Sequence, residues 1–181
     1  MSILDPTNRI LQHVPRWTII RTLRRQSVAE HSYYVTLYAT FIAIELDLKT
    51  NDINWITQYA LTHDFDEMVS GDIPTPYKRG TEYDDKLITK HSKKMGSTIL
   101  INEPTDIRLC MEVVKVADEF EACMYLADEK AMGNSTIEPL LADIMWHLEK
   151  KAENLEEGLY KKLAEEIHKT TRTYLYSSKG L

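Results

Sequence analysis

From Val28 to Leu46 the side chains that would face a core recur at steps of three and four residues: Val28, His31, Val35, Tyr38, Ile42 and Leu46. That spacing places all of them on one face of an α-helix, whereas a half-buried strand needs alternation at every second residue. Ser27 stands where an N-cap is wanted, and Glu30 three residues on completes a capping box, so the spacing predicts a helix over 28–47. The pattern repeats with Ile53, Ile56, Ala60, His63 and Glu67, which predicts a second helix from Asn51-Asp52 to about Met68. A short helix is expected over 4–13, an irregular basic segment over 14–27, and further helices over 80–101, 105–132, 136–155 and 157–176. Pro104, Gly133, Pro139 and Gly158 lie at or near the ends of these last segments. The stretch SGDIPTPYKRG, with two Gly and two Pro in eleven residues, is a loop. Strand-like alternation is nowhere sustained. The expected fold class is all-α, a compact bundle of about six or seven helices.

With 181 residues, no internal repeat and no low-complexity linker, the chain is expected to form a single domain over 1–181. The net charge of −6 argues against a broad nucleic-acid surface, which needs a basic excess. It leaves room for a small phosphorylated ligand, because one Arg and one Lys in a cleft can hold a phosphate on an acidic protein. No apolar run approaches the length of a membrane span, and the start MSILDPTNRILQHV lacks a cationic signal region. Cys110 and Cys123 sit 13 residues apart on one predicted helix, about 20 Å at 1.5 Å per residue, too far for a disulfide. Both are expected as buried thiols in a reducing compartment, and the protein as cytoplasmic.

The chemistry-bearing residues are few. His63-Asp64 alone is a chance-level pair: six His and twelve Asp in this length give about 0.4 such dipeptides at random. Its surroundings are more informative. On a helix His63 and Asp64 would point about 100° apart and straddle one ion, with Glu67 on the same surface. No H-E-x-x-H motif is present, and DFDEMVSGD fails as a calcium loop because Met68 and Val69 occupy positions five and six. His31 lies on the core-facing side of its helix. Asp118 sits on the apolar side of another, between Val116-Ala117 and Phe120, where a carboxylate is costly unless paired or metal-bound.

Taken in order, R-W at 16–17, E-H-S at 30–32, H-D-x-x-E at 63–67, G-D-x-P-T-P at 71–76 and A-D at 117–118 resemble the HD-domain phosphohydrolases. The nearest likeness is to the YfbR-like 5′-deoxynucleotidases and the phage DatZ-type dATP triphosphohydrolases. The resemblance covers roughly residues 10–130, and the last fifty match only as generic helix. It implies an HD-domain bundle in which His31, His63, Asp64 and Asp118 are metal ligands. Two imidazoles and two carboxylates suit one divalent transition metal (Mn, Co, Fe, Zn or Ni), with Mg an option beside a polyphosphate substrate. Glu67 is implied as general base or water-positioning group, with Arg16 a catalytic and phosphate-binding cation and Trp17 and Ile19 the walls of an adenine-sized pocket. Asp72, Ile73, Pro74 and Thr75 correspond to a substrate loop in which Asp72 would accept a hydrogen bond from a ribose hydroxyl. Asp64 and Asp118 also border the substrate. Lys78 and Lys115 are candidates for further phosphates, Lys115 standing three residues before Asp118.

The implied activity is metal-dependent removal of 5′-phosphate or polyphosphate from 2′-deoxynucleotides, dAMP or dATP foremost. Thr18 stands where the nucleotidases commonly carry Pro, so the monophosphate and triphosphate versions both stay open. The alternative is a metal-binding regulatory or scaffold HD protein without turnover. The expected partner is a small deoxynucleotide, with no nucleic acid and no membrane, and the resembling families imply a homo-oligomer, dimer or higher. Tyr33, Tyr34, Tyr38, Phe41 and Trp55 read as core, some of them for a subunit interface. Arg21, Arg24 and Arg25 form a small basic patch. His13, His91, His147 and His168 have no evident partners in the sequence.

Overall fold

The computed structural model describes residues 6–74, 103–156 and 158–177. All of the regular structure in them is helical: α1 (Val28–Glu45), α2 (Thr50–Thr62), a four-residue α3 (Glu67–Ser70), α4 (Ile107–Ala131), α5 (Glu138–Glu153) and α6 (Leu159–Ser177). The five longer helices make the fold all-α, as the periodicity predicts. The segment expected as the helix 80–101 lies outside the described residues. The first helix is a 3-10 helix, Pro6–His13, and another 3-10 turn, Ser135–Ile137, leads into α5.

Helix α4 is the axis of the bundle. It packs against α1, α2, α5 and α6. Its 25 residues carry buried Val113, Val116, Ala117, Phe120, Cys123 and Leu126 along one side, and Asp106 caps its start by accepting from the N–H groups of Arg108 and Leu109. Ile56 of α2, Leu126 of α4, Leu148 of α5 and Ile167 of α6 are each essentially inaccessible to solvent. Each such side chain stabilises the bundle by about 1.5–3 kcal/mol relative to exposure. The face predicted for α1 is the one turned inward: Val28, His31, Val35 and Ile42 are buried, with Tyr38 and Leu46 packed against the core. Ser27 accepts the N–H of Glu30 and caps α1, but the Glu30 carboxylate pairs with Arg24, so only half of the capping box forms.

The predicted helix 51–68 is broken in two. Helix α2 ends at Thr62, His63 is its C-cap, and residues 63–66 form turns before α3 begins at Glu67. His63 satisfies a carbonyl of the last turn, its Nδ1–H donating to Ala60 O at 2.7 Å, and the Thr62 hydroxyl back-bonds to Gln58 O at 2.9 Å. His63 and Asp64 therefore straddle a helix end rather than the surface of a continuing helix.

The segment 14–27 is irregular, as expected, yet tightly closed. Arg16 N–H donates to Gln26 O at 2.9 Å and Val28 N–H to Val14 O at 3.0 Å, so the two ends of the loop meet in an isolated antiparallel bridge between Pro15 and Ser27. Its middle is fastened to the end of α4. Glu129, fully buried, accepts the N–H groups of Leu23 at 2.6 Å and Arg24 at 2.8 Å, and Asn134 donates to Arg21 O at 2.9 Å. Such bonds satisfy backbone groups that an irregular segment cannot satisfy itself.

Candidate metal centre and adjoining cavity

His31 is brought in by α1, His63 and Asp64 by the end of α2, and Asp118 by the middle of α4. Donor atoms of His31, His63 and Asp118 all lie within 4.8 Å of one another. His31 Nε2 is 3.1 Å from Asp118 Oδ1 and 3.6 Å from Asp64 Oδ2, and that Asp64 oxygen is 3.3 Å from His63 Nε2. Three of the four residues matched to the ligand motif, His31, His63 and Asp118, thus converge on one point, and Asp64 adjoins them through the two imidazoles. Both Nε2 atoms are buried and face carboxylates, His31 Nε2 that of Asp118 and His63 Nε2 that of Asp64. Two inward-facing imidazole nitrogens beside two carboxylates are a donor set that could hold a divalent transition metal.

The opposite ring nitrogens explain that orientation. His63 Nδ1 faces the Ala60 carbonyl and His31 Nδ1 faces Glu121 Oε2 at 2.6 Å. The Ala60 carbonyl only accepts, so His63 Nδ1 carries the proton and its lone pair falls on Nε2. His31 Nδ1 meets both the donor Arg16 and the acceptor Glu121, and the Glu121 carboxylate favours a proton there. Without a metal the cluster is a network of ions. Burial and the Arg16 charge oppose protonation of His31, but hydrogen bonds to Asp118 and Glu121, with the Glu121 charge, outweigh them and raise its pKa to about 9. Burial opposes ionisation of Asp118, yet its hydrogen bond with His31 and the charges of His31, His63 and Arg16 hold it far below the usual carboxylate range.

Arg16 and Trp17 stand beside this cluster in a constrained form. Trp17 has φ of 62°, a left-handed conformation that costs a bulky residue about 1–3 kcal/mol. Three contacts hold it: its N–H donates to Asp72 Oδ2 at 3.2 Å, its indole N–H to Gln26 Oε1 at 2.8 Å, and its ring stacks on Tyr125 at 5.4 Å between centroids. Gly71, with φ of 70°, turns the chain after α3 and delivers Asp72 to that position. Arg16 forms an ion pair with Glu121 at 3.3 Å, touches His31 Nδ1 and lies over the Trp17 ring.

A cavity of about 550 Å³ opens next to Asp118, a volume suited to a nucleotide-sized molecule. Arg16, Trp17, Ile19, Asp72 and Pro74 line one side. The far wall belongs to α5, through Leu140, Ile144 and His147, with Lys151 paired to Glu119 at the rim. Ile73 is half-buried beside the lining residues. Glu67 is buried at the first position of α3, one turn from Asp64. Lys115 is exposed and paired with Glu112 at 2.7 Å, and it is not among the lining residues. Thr75 and Lys78 lie outside the described residues.

Two parts of this site carry no motif. Glu121 is marked in the sequence only by standing three residues after Asp118, a second carboxylate on the same buried face. His147 looks solitary in the sequence because the Arg16-Trp17 wall it faces across the cavity comes from residues more than a hundred positions earlier.

The HD-domain family profile matches residues 9–175, and the chain belongs to the HD-domain family. Among characterised proteins it is similar to a dATP triphosphohydrolase of cyanophage S-2L, 28% identical over 114 residues, covering 63% of this chain and 64% of that one. It is also similar to the 5′-deoxynucleotidase YfbR of Photorhabdus temperata, 30% identical over 142 residues, covering 69% and 72%. The match thus spans a little under two thirds of the phage protein's length. In fold, the chain superposes on the cyanophage S-2L HD phosphohydrolase DatZ, solved with dA and one catalytic Zn²⁺, with a TM-score of 0.72 at 20% identity over 96% of this chain and 98% of that one. A conserved protein of Pyrococcus furiosus gives 0.67 at 23% identity over 92% and 96%. No helix among the described residues is long and apolar enough to cross a membrane.

Proposed function

We propose that the protein is a divalent-metal-dependent phosphohydrolase that removes 5′-phosphate or polyphosphate from 2′-deoxynucleotides, with adenine deoxynucleotides the preferred substrates. One observation carries this reading: two buried imidazole nitrogens and the Asp118 carboxylate, with Asp64 adjoining, meet beside a nucleotide-sized cavity whose near wall is Arg16 and Trp17. Relatives named as a 5′-deoxynucleotidase and a dATP triphosphohydrolase support it.

In this reading His31, His63, Asp64 and Asp118 hold one Mn, Co, Fe, Zn or Ni ion, or Mg beside a polyphosphate. When bound, the ion supplies Lewis acidity toward the phosphoryl oxygen and lowers the pKa of a water. The rest of the work falls to the chain. Glu67 takes the proton of the attacking water or orients it. Arg16 presents a guanidinium to the phosphate, its position fixed by the Glu121 ion pair. Trp17 has its indole N–H occupied by Gln26, so it acts through the flat face of its ring, as a wall for sugar or base. Asp72, already accepting from Trp17 N–H through Oδ2, keeps its other oxygen for a ribose hydroxyl. Ile19, Leu140 and Ile144 give the base an apolar surround. Ile73 and Pro74, with Thr75, form the substrate loop, and Lys78 meets the outer phosphates of a longer substrate, whereas Lys115, paired with Glu112 off the cavity lining, is left out of this role.

The test is a panel of dNMPs, dNDPs, dNTPs and ribonucleotides with Co²⁺ or Mn²⁺, read for phosphate, pyrophosphate and triphosphate. Phosphate from dAMP alone marks a 5′-deoxynucleotidase, and triphosphate from dATP marks a triphosphohydrolase. Absence of turnover on every member, with metal bound, would leave the regulatory or scaffold reading.

A further inference from the structure

Glu121 is buried in α4 and faces three partners at once. Its Oε2 accepts the Nδ1–H of His31 at 2.6 Å and pairs with Arg16 at 3.3 Å. Its Oε1 accepts the amide of Gln26 at 2.5 Å, and the carbonyl oxygen of that same amide accepts the indole N–H of Trp17 at 2.8 Å. Gln26 is itself only 1% exposed. One carboxylate therefore joins the imidazole of the metal cluster to both members of the Arg16-Trp17 pair.

We infer that Glu121 is the positioning residue of this site: it fixes the tautomer and aim of His31 toward the metal, and through Arg16 and Gln26 it sets the place of the substrate-facing pair. The inference rests on the metal-dependent reading above. The physical reasons are two. A buried imidazole keeps its lone pair on Nε2 only while Nδ1 has an acceptor, and a carboxylate is the strongest one available. The Arg16 guanidinium touches His31 Nδ1 and repels a proton there, and the Glu121 carboxylate, bonded to both groups, offsets that repulsion. Gln26 extends the arrangement in one direction only, toward Trp17. The two residues should therefore fail differently.

The experiment compares wild type, Glu121→Gln, Glu121→Asp and Gln26→Leu in three measurements: Co²⁺ affinity by calorimetry, the visible cobalt spectrum, and KM and kcat on the best substrate. Glu121→Gln is expected to weaken Co²⁺ binding roughly 10- to 100-fold and to raise KM as well. Glu121→Asp, which restores the charge, should recover part of both. Gln26→Leu should raise KM while Co²⁺ affinity stays at the wild-type value. A wild-type protein that takes up no cobalt removes the metal reading and this one with it. A wild-type protein that binds cobalt, with Glu121→Gln matching it in affinity and KM, removes this one alone. If Glu121→Gln does not fold, side-chain ¹⁵N spectra of the Zn²⁺-loaded wild type decide: His31 protonated at Nδ1 supports the assignment, and His31 protonated at Nε2 overturns it.

Discussion

His63 donates its Nδ1–H to the carbonyl oxygen of Ala60 at 2.7 Å, and this single bond aims the ring at the end of helix α2 toward His31, Asp64 and Asp118. The acceptor belongs to the same helix three residues back, so the ring is aimed by local structure and does not depend on a distant partner. With Nδ1 committed, Nε2 is the ring's remaining lone pair, and it is buried 3.3 Å from Asp64 Oδ2.

His63→Ala is accordingly expected to weaken Co²⁺ or Zn²⁺ binding by more than about 100-fold, beyond the loss typical of a supporting residue. Equilibrium dialysis against a metal buffer measures it. Wild-type affinity in the variant would take His63 out of the ligand set.

Glu67→Gln preserves the shape of a buried side chain at the start of α3 and removes its capacity to take a proton. The expected result is a fall in kcat of about 10²- to 10⁴-fold with metal content unchanged. Metal analysis of the purified variant separates the roles: loss of the metal would make Glu67 a ligand instead of a base.

Glu129 controls the loop that carries Arg16 and Trp17. Burial opposes its ionisation, but the N–H groups of Leu23 and Arg24, the Asn134 amide and the Arg24 charge outweigh it and set its pKa below the ordinary 4.5. A depressed carboxylate pKa contributes stability that is fully present above 4.5 and is lost as pH falls through the lower folded value. Urea unfolding between pH 6 and pH 3 should show that loss in wild type and less of it in Glu129→Gln. At pH 7, Glu129→Ala leaves buried donors without an acceptor and is expected to cost about 3 kcal/mol. Parallel acid profiles for wild type and Glu129→Gln would contradict the assignment.

Cys110 and Cys123 are both buried free thiols on α4, and burial pushes their pKa values up to about 11 and about 12. Thiolate is the reactive form, so Ellman's reagent at pH 8 should leave both untouched in the native protein and titrate two thiols in guanidinium. Rapid native reaction would mean that α4 is rotated from the placement described above.

Much of the fold was legible in the sequence because helical periodicity is a local property. The inward face of α1 and the extent of α4 follow from spacing alone, and Ser27 marks the start of α1 by the ordinary chemistry of a cap. The stop after Thr62 was not legible. The apolar pattern runs on through Glu67, but the chain turns over residues 63–66, where His63 Nδ1–H takes up the carbonyl of Ala60 in the last turn. Glu30 likewise left its expected capping role for Arg24, a residue whose position is set by the loop and not by the helix.

The sequence by itself determined which residue types were present for metal and phosphate chemistry, and in what order. It could not determine that Glu121 joins His31 to Arg16, that Gln26 holds Trp17, or that α5 supplies the far wall of the cavity. These contacts join residues 9 to more than 100 positions apart. They exist only because α4 runs through the centre of the bundle, where one buried carboxylate can reach α1 and the 14–27 loop together.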